Sequence, residues 1–472
     1  MGCHAASWLC APMPTATTTT GSSKFYKSTT IFCCINSPAD STHPSPSVST
    51  GSSSRRWYNP LKKRPLDQPP EIVRHWIDSN HPFPSQETFT VVSYNILGDR
   101  NAFKHRDLYS NVPFSYMKWD HRRRVICNEI IGRNPDIVCL QEVDKYFDLV
   151  SIMEKEGYAG SYKRRTGDTV DGCAMFWKAE KFRLLEGECI EFKQYGLRDN
   201  VAQLSLFEMC EDESRKLLVG NIHVLYNPSR GDVKLGQIRF LSSRAHILSE
   251  KWGNVPVVLA GDFNSTPQSA MYQFLSSSEL NIMLYDRREL SGQRNCHPAQ
   301  VFDVEREISS SFILMDRFLK GCWTDEEVKV ATGNADCHVV VHPLKLKSSY
   351  ATVKSSTRTR GFNGEPLATS YHSKFLGTVD YLWYSDGVVP TRVLDTLPVD
   401  ILRGLGGLPC REVGSDHLAL ISEFAFAQGT EEGNNMTSMF SIQSVRFSWS
   451  ELLLSCMNTN AGFLGTKLGD SV

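Results

Sequence analysis

Acids, amides and histidines recur in this chain where short apolar runs end. Asn95 closes Ser93-Tyr94-Asn95-Ile96-Leu97, and Glu142 follows Ile137-Val138-Cys139-Leu140-Gln141. His223 lies in Gly220-Asn221-Ile222-His223, and Asp262 and Asn264 follow Val257-Val258-Leu259-Ala260. Asp380 sits in Thr378-Val379-Asp380-Tyr381, and Asp416-His417 in Gly414-Ser415-Asp416-His417-Leu418. Singly, each has a plain explanation. A carboxylate after a strand is usually a turn or cap residue, and Gly-Asp-x-Asn is good turn chemistry. A lone histidine beside an apolar strand is more often a hydrogen-bonded structural residue than a catalyst. Six such places in one chain are hard to attribute to turns. Together they supply hard oxygen ligands for a cation and imidazoles that carry protons, the equipment of metal-assisted hydrolysis.

Strands and helices must carry these groups to one cleft. Phe89 to Ile96 reads as a strand, Asp136 to Leu140 as a buried strand, Leu217 to Leu225 as another, and Val255 to Ala260 as a third buried run. Thr378 to Tyr384 and Leu418 to Phe424 are strands near the end. His121 to Arg133 and Gly231 to Trp252 have helical periodicity. Strands mixed with helices over this length predict a layered α/β domain. No internal repeat is present, leucine-rich or otherwise.

Composition narrows the class. The 472 residues are 41% hydrophobic and 22% charged with a net charge of −1, so any attraction for a polyanion must be local. Two basic stretches could provide it: Lys163-Arg164-Arg165, and the acid-free run after Asp336 with Lys345, Lys347, Lys354, Arg358 and Arg360. The alternative for both is a solvated surface loop. No run of eighteen apolar residues exists, so no membrane span is expected. The 14 cysteines form no Cys-x-x-Cys pair, which argues against a zinc cluster and for reduced thiols. Residues 1–53 are rich in Ser, Thr and Pro and read as a disordered tail. A Ser-rich, acid-poor start also fits an organellar targeting segment, although Arg is absent before Arg55.

The ordered series Asn95, Glu142, His223, Asp262-x-Asn264, Asp380 and Asp416-His417 resembles the endonuclease/exonuclease/phosphatase superfamily over residues 88–426. The resemblance implies an α/β fold, a two-layer mixed β-sandwich flanked by helices, with the site at one edge. Residues 54–87 would be a lead-in, 88–426 the catalytic domain, and 427–472 a linker and tail. A phosphodiester is anionic and resists attack by water, so developing charge must be neutralised. The resemblance implies Mg2+ for this, two ions about 4 Å apart. Glu142 would be the first ligand supported by Asn95, and Asp416 a ligand of the second. Asp262 would orient or deprotonate the attacking water and Asn264 would hold the phosphate. His417, its tautomer fixed by Asp380, would bond a non-bridging oxygen, and His223 would also touch the scissile phosphate.

Cys139-Leu140-Gln141-Glu142-Val143, Asp171-Gly172-Cys173-Ala174, Thr378-Val379-Asp380-Tyr381-Leu382 and Ser415-Asp416-His417-Leu418-Ala419-Leu420 are similar to the poly(A) nucleases of the carbon-catabolite-repressor-four class, as found in plants. In that class a Phe and a Pro sandwich a base; here they would be Phe375 and Pro228. The alternative for Phe375 is a core aromatic at the start of a strand. The resemblance implies a Mg-dependent 3′-5′ exoribonuclease that shortens poly(A) tails of single-stranded RNA, in cytoplasm or nucleus. A deadenylation complex of the CCR4-NOT type is an implied partner, though the docking repeats are absent. Leu225-Tyr226-Asn227-Pro228-Ser229-Arg230-Gly231-Asp232-Val233-Lys234 and the short Arg165-Thr166-Gly167-Asp168 stretch before Asp171 look closer to Angel proteins, which makes a 2′,3′-cyclic phosphatase of RNA ends the alternative. A nocturnin-like small-molecule phosphatase and an inactive RNA-binding scaffold are weaker readings, the latter because every ligand is retained.

Overall fold

The computed structural model describes residues 72–79, 87–302, 323–353 and 358–427. The tail 1–53 and, from residue 428 on, the expected linker and tail lie outside them. Along the chain the strands begin with β1 (Trp76–Asp78), β2 (Thr88–Asn95), β3 (Ile137–Gln141), β4 (Tyr158–Arg164), β5 (Gly172–Lys178) and β6 (Phe182–Glu191). Next come β7 (Val201–Met209), β8 (Lys216–His223) and β9 (Val257–Asp262), then the short β10 (Glu279–Asn281), β11 (Val339–Val341) and β12 (Lys347–Ser348). The last are β13 (Ser370–His372), β14 (Phe375–Gly377), β15 (Asp380–Tyr384), β16 (Val388–Leu394) and β17 (Leu420–Phe426).

Two mixed sheets dominate. One has the order β1-β16-β17-β2-β3-β5-β4 and the other β12-β15-β9-β8-β7-β6. Successive residues of a strand point to opposite faces. Phe89, Val91, Ile137 and Cys139 of the first sheet therefore pack against Leu217, Val219, Val258, Ala260 and Leu382 of the second. Their neighbours Val92, Tyr94, Val138 and Leu140 face outward beneath Ile126 and Ile130 of the helix Trp119–Arg133. On the far side Leu218, Ile222, Val257 and Leu259 lie under Val233, Ile238 and Leu241 of the helix Gly231–Lys251. Coverage on both faces explains why β3 and β9 are apolar runs rather than alternating ones.

The expected elements lie within two residues of the observed ones at each end. Three features differ. β1 pairs with β16, so part of the segment assigned to a lead-in belongs to the sheet, and Arg74 just before it is buried. The antiparallel pairs β4–β5 in the first sheet and β6–β7 in the second have no counterpart among the expected elements. Arg360, counted in a basic loop, is a buried structural cation paired with Asp395 at 3.2 Å and lying over the Tyr350 ring. Among the described residues every cysteine is a free thiol, and no helix is long and apolar enough to cross a membrane.

Candidate active site

Strand register assembles the site. β8 runs parallel to β9 with His223 beside Asp262, and β15 runs antiparallel on the other flank of β9 with Asp380 beside Asp262. Three strands thus deliver three ionisable groups to one rung. The approach of β8 and β9 depends on Gly261, where a Cβ would fall 2.1 Å from the Ile222 carbonyl oxygen. In the facing sheet β2 is parallel to β3 with Asn95 opposite Gln141, so Glu142 leaves the sheet one residue later. β17 is antiparallel to β2 with Leu420 opposite Ser93, which returns Asp416 and His417 to the same edge. The Ser415 hydroxyl fixes that return by donating to the Asn95 carbonyl at 2.7 Å.

Side chains link the two sheets. The Asn95 amide Nδ2 donates to Glu142 Oε1 at 3.1 Å and to Asp262 Oδ2 at 3.0 Å. The other oxygen of Glu142 accepts from Gly98 N–H and Asn101 Nδ2. Asp262 Oδ1 accepts from the Asn264 N–H, an Asx turn across Gly-Asp-Phe-Asn. Asp380 Oδ2 receives His417 Nδ1 at 2.8 Å and the Thr369 hydroxyl at 2.6 Å. That pairing turns His417 Nε2 toward Asp262 Oδ2, 4.0 Å away, while His223 Nε2 stands 3.6 Å from the same oxygen. Both gaps are too long for direct hydrogen bonds and leave room for a reacting group among the three. Backbone strain collects here as well: Leu97, Glu142 and Asn264 have φ of 55°, 57° and 49°, where non-glycine residues are rare.

Electrostatics split the two histidines. Burial disfavours charge on His417, but Asp380, their hydrogen bond and the carboxylates of Asp416 and Asp262 outweigh it, holding the imidazolium well above its ordinary value. Burial, reinforced by the Arg165 cation, pushes His223 down to about 3 against the pull of Asp171. One ring is therefore charged and the other neutral at neutral pH. Burial and the neighbouring Asp380 push Asp262 up to about 7, the range of a working base, against His417 and the Asn95 hydrogen bond.

Carboxylate oxygens such as those of Glu142, Asp262 and Asp416 are the ligand type that suits a hard divalent cation. The Tyr109 hydroxyl donates to Asp416 Oδ2 at 2.8 Å, and its proton is held by burial and by the charges of Asp416 and Glu142. Asn95 meets the acids with its N–H end, its Oδ1 accepting from Leu97 N–H, so oxygen ligation by Asn95 needs the amide turned over. Among the described residues the one group of three whose ligand atoms lie within 4.8 Å of one another is Asp262, Asp380 and His417, which leaves out Glu142 and Asp416, and the His417–Asp380 bond already occupies part of it. Phe375 and Pro228 are both half-buried. Phe375 opens β14 with its ring 6.0 Å from that of His372.

Several supporting residues escaped the sequence reading. Lys234 is fully buried and donates to the Asn264 carbonyl at 2.7 Å and to Gln293 Oε1; Gln293 Nε2 in turn donates to Asn264 Oδ1. Asn264 Nδ2 is directed to the Val224 carbonyl at 2.9 Å. Arg122, buried on the helix Trp119–Arg133, donates to the carbonyls of Ile96 and Leu97 and holds the turn after β2. Of these, only a lysine on the apolar side of an amphipathic helix leaves a signal in sequence, and a weak one.

A model of the Endonuclease/Exonuclease/phosphatase family matches residues 92–417. Carbon catabolite repressor protein 4 homolog 3 of Arabidopsis thaliana is 61% identical over 401 residues, spanning 84% of this chain and 89% of that protein. The CCR4-Not complex 3′-5′-exoribonuclease subunit Ccr4 of Phaeosphaeria nodorum is 26% identical over 76% of this chain and 63% of its own length. The crystal structure of ANGEL2, a 2′,3′-cyclic phosphatase, with adenosine-2′,3′-vanadate superposes with a TM-score of 0.61 at 31% identity, covering 75% of this chain and 99% of that one. With its two mixed sheets and the ordered acids and histidines at their shared edge, this chain belongs to the endonuclease/exonuclease/phosphatase family.

Proposed function

We propose that the chain is a magnesium-dependent 3′-5′ exoribonuclease that shortens poly(A) tails and releases AMP. The observation that carries the reading is the trio around one gap: His223 Nε2 and His417 Nε2 stand 3.6 and 4.0 Å from Asp262 Oδ2, with Asp380 fixing the other nitrogen of His417. Asp262 takes the proton of the attacking water as the water oxygen bonds the phosphorus and the bond to the 3′ oxygen of the preceding nucleotide breaks, that oxygen then taking a proton from solvent. His417 donates from Nε2 to a non-bridging phosphoryl oxygen, with Asp380 fixing its other nitrogen. Glu142 and Asp416 would hold magnesium, which would supply charge neutralisation at the phosphate. His223 and Asn264 position the phosphate. The base in the leaving nucleotide stacks between Phe375 and Pro228, which suits single strands because unpaired bases expose their faces. A relative named as an exoribonuclease subunit of the CCR4-Not complex supports this substrate class and an association of that kind.

A second reading has its own support. The likeness to a 2′,3′-cyclic phosphatase covers nearly all of that chain and favours attack on a terminal cyclic phosphate by the same groups. A 5′-labelled A-tailed RNA ending in either a hydroxyl or a 2′,3′-cyclic phosphate separates the two. A ladder of shortened products with magnesium supports the exonuclease. Loss of the terminal phosphate without shortening replaces it with the phosphatase.

A further inference from the structure

Beside the cleft, the segment 99–118 carries a surface that the chemistry above does not use. Phe103 is 71% exposed and Phe114 57% exposed, unusual for rings in a short ordered segment. Arg106 lies over both, its guanidinium 5.0 Å from the Phe114 centroid and 5.7 Å from the Phe103 centroid. Lys118 covers Phe114 at 5.6 Å. Among the described residues neither Arg106 nor Lys118 has an acid within ion-pair distance, and the nearby Asp107 is taken by Lys374 at 2.7 Å. Aromatic rings interleaved with unpaired cations form the combination that stacks bases while neutralising phosphates.

The surface is tied to the catalytic groups at both ends. Asn101, two residues before Phe103, donates to Glu142, and Tyr109 donates to Asp416. Leu108 O accepts from Ser373 N–H at 3.0 Å, so the segment also braces the loop that leads into Phe375. The Ser373 and Lys374 contacts set the residues that flank Arg106 against the turn leading into Phe375, with Lys374 on Asp107 and Ser373 on Leu108. We infer that this face binds the upstream nucleotides of a single-stranded RNA, giving the enzyme affinity for a tail rather than for a terminal nucleotide alone. The inference rests on the RNA substrate class proposed above. Phosphates demand the cations and bases the rings. An acidic protein segment would use the cations but has less use for two exposed phenyl faces.

Binding of a fluorescent twenty-residue oligo(A), followed by anisotropy with EDTA in place of magnesium, reads this surface without cleavage. The double variant Phe103→Ala/Phe114→Ala should bind at least about tenfold more weakly, since each stacked base lost costs about five- to a hundredfold. Arg106→Gln should flatten the salt dependence, by about 0.7 in the logarithmic slope for one lost phosphate contact. With magnesium restored, the KM for the long substrate should rise and turnover of a dinucleotide should stay unchanged. Unaltered oligo(A) affinity in these variants overturns the proposal and leaves the face to a protein partner, as does no oligo(A) binding by the wild type. An equal loss on dinucleotide and long RNA overturns it too, because the variants would then be disturbing the cleft. If the wild type fails to shorten tails yet binds oligo(A) through these rings, the exonuclease reading fails and the surface stands.

Discussion

Asp262 carries the densest set of obligations in the molecule. It accepts from Asn95 and from the Asn264 backbone, faces two histidines and shares a rung with Asp380. Asp262 and His417 act on one phosphate in one transition state, so their losses should not multiply. Asp262→Asn and His417→Asn should each lower kcat severely, and the double variant should be little worse than either. Multiplicative losses in single-turnover rates would separate their roles. Glu142→Ala should abolish turnover at low magnesium while the Tm stays near wild type, because Glu142 lies beyond the end of β3 and fills no core. Near-normal activity at low magnesium would move the cation elsewhere. Phe375 answers a different question, since carboxylates and cation see only phosphate. A purine stacked on it gains about 1–3 kcal/mol. Phe375→Ala should slow degradation of poly(A) strongly and of poly(U) weakly, and equal losses would make the ring merely structural.

At the scale of elements, positioning depends on groups that never meet substrate. Lys234 reaches from the helix Gly231–Lys251 to the Asn264 carbonyl, and Gln293 completes the hold on a residue kept at φ 49°. A shift of about 1 Å in a reacting group can cost roughly a hundredfold in rate, so Lys234→Met should lower kcat by about that factor with little change in KM. Burial pushes Lys234 down to about 7 despite Asp262. Between there and the ordinary lysine value the unfolded chain binds the extra proton. The stability of the wild type relative to Lys234→Met should therefore rise from pH 7 to pH 10. A flat difference in denaturant midpoints would mean the lysine is not so depressed. The same elements explain what the sequence disclosed. β2, β3, β8 and β9 are covered on both faces and end in polar residues, so apolar runs exposed both their existence and their cargo. β6, with one buried and one wet side and a register shift between Leu184 and Glu186, has no such run and went unread. Lys234 and Arg122 were illegible for another reason: the carbonyls of Asn264, Ile96 and Leu97 and the Gln293 side chain that they hold lie far along the chain, which no local pattern encodes.

For the whole molecule, the site is a store of electrostatic cost held between two well-packed sheets. Burial and Asp380 push Asp262 up to about 7 in the folded protein, from an ordinary value near 3.8. A carboxyl displaced in this direction favours folding fully below the unfolded value, and that favour is lost as pH rises through the folded one. The ionised group thus costs on the order of a few kcal/mol above neutrality. His223 is displaced oppositely, down to about 3, and opposes this trend below its ordinary value. The raw pH profile therefore mixes both, and a comparison with Asp262→Asn isolates the acid. Without divalent cations, Asp262→Asn should be more stable than the wild type at pH 8, and the advantage should vanish near pH 4. A cation that binds only the folded site stabilises by mass action and competes with protons for the carboxylates. Magnesium should accordingly raise the wild-type Tm more at pH 8 than at pH 5.5, and raise that of Glu142→Ala little at either. Scanning calorimetry of the two variants and the wild type, with magnesium and with EDTA, provides the check. A magnesium shift that is constant across pH, or that survives in Glu142→Ala, would mean that the ion binds away from these acids and that the buried charges at the sheet edge serve something other than a metal.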